Sequence, residues 1–133
     1  TSKIPGRLSL IDVNAAGEVV QIFPNRFLAG EAASLVPTDV ATTIPGTGYG
    51  FSGFQATEPM GRGRLIAAVV PAAIPASRFQ QVEIQRTKGF EPVNDPVVYL
   101  KQLVDELTAV ATTPAGDDGR SIAFAVTDYE IIR

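Results

Sequence analysis

The chain contains no cysteine and no histidine, and these two absences exclude more chemistry than any residue present supports. Without cysteine there is no disulfide, no thiolate nucleophile and no thiolate metal site. The cellular compartment stays open, because a chain of this size can fold without staples in either redox setting. Without histidine, the usual base near neutral pH and the commonest metal ligand are both missing. A serine-type triad would then have to rely on one of three lysines or on a carboxylate, and no serine stands in a nucleophile-elbow sequence.

Positive charge is also in short supply. Eleven Lys and Arg against 14 Asp and Glu give a net charge of −3, which supplies no basic face for a nucleic-acid backbone. No apolar run approaches the ~20 residues that cross a bilayer. The longest, Leu65 to Ile74, is broken by Pro71. No signal peptide is visible. The only methionine is Met60 and the chain opens at Thr1, so a piece of a longer protein is expected. A length of 133 residues with 45% hydrophobic and 19% charged content fits one domain over 1–133.

What is present is mainly β pattern. Arg7 to Phe27 reads as a β-hairpin, in which Leu8, Leu10, Val20 and Ile22 alternate with smaller or polar residues as one buried face. Asn14-Ala15-Ala16-Gly17 supplies the turn. Asn bonds its own backbone and Gly takes positive φ without a Cβ clash. Pro24 then ends the second strand, having no N–H for a ladder. Gly30 to Leu35 reads as a short helical turn and Val36 to Asp39 as loop. Thr42 to Gly46 is expected as a short edge strand, followed by a strand through Tyr49, Phe51 and Phe54 to Ala56, kinked at Gly53. Glu58-Pro59-Met60-Gly61 is a compact turn.

Arg64 to Val70 is almost continuously apolar, the pattern of a central strand covered on both faces. A further short strand is expected at Val82 to Gln85. Asp95-Pro96 then opens a helix that runs to Thr112, with Asp95 as cap and Pro96 at the first helical position. Val97, Leu100, Leu103, Val104, Leu107, Val110 and Ala111 form its apolar stripe. Pro114 to Gly116 stops it, and Asp117-Asp118-Gly119 is a turn. Ser121 to Val126 is a final strand, with Ile122, Phe124 and Val126 on one face and Tyr129 to Ile132 extending it past a kink. The fold class expected is mainly β (α+β): an antiparallel β-sandwich or partly open barrel with one packed amphipathic helix.

Candidate chemistry is thin. The acid pairs Asp105-Glu106 and Asp117-Asp118 fall on solvent-facing segments, and neighbours on a helix point apart. Asp117-Asp118-Gly119 is too short for a calcium loop. Arg62 and Arg64 flank a glycine at a strand entrance and suit a phosphate or carboxylate, although charges that keep a turn soluble explain them more simply. Gly46 to Gly50 lacks the lysine and following helix of a phosphate loop. Tyr49 and Phe51, with Phe54, would line a groove, but aromatics in strands more often fill cores.

The segments Asp12-Val13-Asn14, Gly17 to Asn25, Ile44-Pro45, Phe54 to Pro59 with Gly61, and Leu65 to Val69 together resemble the bacterial domain of unknown function 4384. That family is often found C-terminal to caspase-like peptidase domains, and also beside kinase or other signalling modules. The resemblance covers about half the chain and is most specific from Gln21 to Asn25. It departs at the start, where the family pattern has a further strand ahead of the Arg7 segment, and from Pro75 onward nothing matches. Gly17, Phe23, Pro24, Asn25, Pro45, Pro59 and Gly61 are its motif residues, expected to be structural. The family has no established activity, so the resemblance implies no catalytic residue, metal or cofactor. It implies a noncatalytic accessory or interaction module of a larger bacterial peptidase-like or signalling protein, with other domains of the parent chain or a separate protein as partner. The alternative is a β-sandwich that binds a small ligand, anion or glycan through Tyr49, Phe51, Arg62 and Arg64.

Overall fold

A computed structural model describes residues 1–24, 34–46, 53, 59–75, 92–112 and 122–133. Asn25, Tyr49, Phe51, the Phe54 to Ala56 strand, Val82 to Gln85, and the stretch from Pro114 to Gly119 lie outside these residues, as does most of the Gly30 turn.

The expected hairpin is present as β1 (Gly6–Val13) and β2 (Val19–Phe23), paired antiparallel from Val13 opposite Val19 to Leu10 opposite Phe23. Its turn is held as the residue types require. Asn14 Oδ1 accepts from the backbone N–H of Ala16 and of Glu18, both at 3.0 Å, and Gly17 sits at φ 81°. β2 stops at Phe23, immediately before Pro24.

β4 (Gly61–Val70) begins three residues before the expected strand and pairs with all of β1 from Arg7 to Val13. Its other edge carries β5 (Ala123–Ile131), in register from Gly61 opposite Ile131 to Val69 opposite Ala123. No kink interrupts β5. A two-residue strand, β3 (Leu35–Val36), pairs antiparallel with Gly6 and Arg7, on the β1 edge that β2 leaves uncovered. Val36 was expected as loop. The local reason for the strand is Arg7, whose guanidinium donates to Ser34 Oγ and to the Ala72 carbonyl and ties this segment to β1. Thr42 to Gly46, by contrast, forms no strand. Pro45 has no N–H to offer a ladder, and Thr42 and Thr43 face solvent.

The described strands therefore make one antiparallel open sheet of order β2-β1-β4-β5 with β3 beside β1. The helix α1 (Pro96–Thr112) packs on one face. Asp95 caps it as expected, its Oδ1 accepting from the Val98 N–H at 3.0 Å. The buried stripe differs from the expected one. Tyr99, Leu103 and Val110 are buried and Leu100 and Leu107 half-buried, while Val97, Val104 and Ala111 are exposed. The helix is rotated so that Tyr99 faces the sheet, where its hydroxyl finds a partner. The core joins Tyr99, Leu103 and Val110 to Ile11, Val19, Val70, Ile74 and Val93.

This docking also decides which hairpin face is deeper. Ile11, Val19 and Gln21 are buried, while Leu8, Leu10, Val20 and Ile22 are only half-buried. Phe124 and Val126, which share one face of the last strand as expected, remain 58% and 46% exposed. They sit on the edge strand, beyond the reach of the helix core.

Candidate functional site

The sheet face away from α1 carries an open concavity. Antiparallel register puts Leu8 beside Val69 and Ala123, and Leu10 beside Ala67 and Ala125, so these six side chains share one face across three strands. They floor an open, mostly apolar groove of about 370 Å³. The depth comes from the alanines, since each leaves room that a Leu or Val would fill. Ser2, Lys3, Val36 and Thr42 stand at its rim. Lys3 is held there by Asp39 at 2.7 Å, an exposed pair.

At the far end of the same face lies a polar pair. The Tyr129 hydroxyl donates to Asp12 Oδ1 at 2.8 Å, reaching from β5 to β1 across the whole width of β4. Gly63 makes this possible: a Cβ there would lie 2.3 Å from the ring. Burial raises the Asp12 carboxyl above the usual carboxylate range, opposed in part by the bond from Tyr129. The Tyr129 hydroxyl is pushed up to about 12 by burial, by its bond to Asp12 and by the Asp12 charge. Sequence reading missed both residues. The available signal was a carboxylate flanked by two apolar residues, Ile11 and Val13, within a strand.

The arginine candidates are placed elsewhere. Arg62 and Arg64 alternate with Gly63 and Leu65, so they lie on the helix side of the sheet and do not line the groove. Arg64 Nε binds Asp128 Oδ1 at 2.7 Å, and Arg62 stands opposite Glu130 in register. Arg64 holds Asp128 below the usual carboxylate range, with Arg62 adding a smaller effect. This cross-strand set of two cations and two anions meets its own charge. Asp105 is likewise paired, with Lys101 at 2.8 Å on the exposed side of the helix.

Among the described motif residues, Phe23 is buried at 1% exposure, and the glycines and prolines sit where the backbone turns or ends a strand. Gly17 turns the hairpin, Gly61 starts β4 at φ 118°, and Pro45 and Pro59 are half-buried in bends. Pro24 is buried, and its carbonyl accepts from Gln21 Nε2 at 3.3 Å. The other end of that amide, Gln21 Oε1, accepts from the Tyr99 hydroxyl at 3.2 Å. Gln21 is 1% exposed, so the pairing satisfies a polar group inside the core.

A family model described as "Domain of unknown function (DUF4384)" matches residues 1–72. No curated protein and no solved structure gives a match. The match takes in β1 to β4, the Gln21 to Pro24 segment and most of the groove floor. With 72 of its 133 residues covered by that model, this chain belongs to the DUF4384 family of domains of unknown function.

Proposed function

We propose that the domain is a noncatalytic interaction module that docks another domain of its parent chain, a caspase-like peptidase or a signalling module. The observation that carries this reading is the groove on the sheet face opposite α1, which no helix covers among the described residues. An antiparallel sheet holds its apolar floor rigid, and the alanines leave space for a partner's side chains. The choice of partner comes from the company that DUF4384-like sequences keep. Of the adjacent acid pairs, the described Asp105 is engaged by Lys101, which supports the noncatalytic part of the reading. A small-ligand reading draws on the groove volume, which lies in the range of ligand pockets. It no longer draws on Arg64.

The test uses the parent protein with Ala125→Glu, which places a charge at the exposed side of the groove without entering the core. Recovery of the neighbouring domain, localisation and any peptidase activity are compared with wild type and with a deletion of 1–133. Loss of partner recovery in both variants is expected. If the deletion and Ala125→Glu leave all three readouts unchanged, while the isolated domain binds a small apolar molecule or turns over a peptide, glycan or ester, the proposal fails.

A further inference from the structure

We infer that the folding unit of this chain is the family-matched stretch 1–72 closed by residues 92–131, which fill one face and one edge that the matched stretch leaves uncovered. Contacts of two independent kinds cross the boundary. On the face, Val93 donates its backbone N–H to the Val19 carbonyl at 2.8 Å, and Tyr99 its hydroxyl to Gln21. Beside these bonds, Tyr99, Leu103 and Val110 complete the buried cluster around Ile11, Val19 and Val70. On the edge, β5 supplies the ladder for β4 from Gly61 to Val69, and Tyr129 reaches through to Asp12.

Gln21 distinguishes completion from mere attachment. Its Nε2 is met inside the matched stretch by Pro24, but its Oε1 is met by a residue 78 positions later. A buried amide oxygen without a donor is costly, so the Gln21 to Pro24 segment presupposes the helix. β4 makes the same demand through its backbone, being long, apolar and paired along both edges. A module that was simply appended would leave these groups satisfied without it.

The experiment is native-state hydrogen exchange on the intact 133-residue chain at increasing denaturant, for the wild type and for Leu103→Ala. In the wild type the amides of Ile11, Gln21, Leu103 and Val126 should merge into one opening with a common denaturant dependence. In Leu103→Ala, exchange at Ile11 and Gln21 should accelerate by the same factor as in α1, at least about tenfold. Faster exchange confined to α1 and β5, with Ile11 and Gln21 unchanged, overturns the inference. Should Leu103→Ala not fold, the wild-type profile decides: α1 and β5 opening well before β1 shows that 1–72 stands alone.

Discussion

The two faces of the sheet are cut from the same strands, yet α1 fills one and leaves the other as a groove. Under the helix, even Ser9 is buried, and its hydroxyl has no hydrogen bond among the described residues. On the opposite face Leu8 and Leu10, far more apolar, are only half-buried. Depth is therefore set by what packs above a residue, and hydrophobicity alone ranks these positions in the wrong order.

The contrast can be broken most severely from the covered side. Leu103→Asp puts an uncompensated charge beneath the helix and should cost more than about 3 kcal/mol, seen as loss of the cooperative melt. Ala125→Glu on the groove side should stay within about 0.5 kcal/mol of wild type. Equal losses for both would show that the faces do not differ as described. Gly63→Val comes next. It drives a side chain into the Tyr129 ring, which must swing away from Asp12, and about 1–3 kcal/mol of stability should go with it in chemical denaturation.

Tyr99→Phe removes one hydroxyl and strands Gln21 Oε1 in the core, at a cost of about 1–2 kcal/mol with little change in shape. A Gln21→Leu/Tyr99→Phe pair should recover part of that loss, because both polar partners are then gone. Asp12→Asn should act in the opposite direction. The folded Asp12 carboxyl holds its proton more tightly than its ordinary value of 3.8 implies. Its contribution is thus present at acid pH and lost as pH rises through the raised folded value. The Asn variant escapes that loss while still accepting from Tyr129. Its Tm should exceed wild type slightly at pH 7, the gap closing toward pH 4, and Tyr129 should titrate nearer to 10. The smallest effect belongs to Arg64→Ala. Its pair with Asp128 is solvent-exposed, so the melt should move little and high salt should abolish even that difference.

Features encoded by neighbouring residues were the ones legible in the sequence. The Asn14 to Gly17 turn, the stop at Pro24 and the Asp95-Pro96 helix start each depend on one or two side chains acting on adjacent backbone. The rotation of α1 was not legible. Its helix carries Val97, Val104 and Ala111 at the same spacing as its core residues, whereas Tyr99 turns inward to join the apolar cluster and to give Gln21 a donor. β3 was missed because two residues give no periodicity, and the strand expected at Thr42 to Gly46 was β propensity without an available ladder. For the site, the Gly61-Arg62-Gly63-Arg64 pattern pointed to Arg62 and Arg64 because two charges beside a glycine are conspicuous. The groove is made of leucine, valine and alanine, which look like any other strand until cross-strand register places them side by side.

The hole at Gly63 gives the sheet a means of checking its own alignment. β1 and β5 share no backbone ladder, so without it an error in placing the last strand would go unnoticed by the first. A slip of β5 by one residue would turn Tyr129 to the opposite face and bring Asp128 or Glu130 over the glycine toward Asp12. A hydrogen bond would then be exchanged for two carboxylates crowding a half-buried spot. Alignment of the outermost strand is in this way verified two strands away, by one ring passing where a side chain is missing.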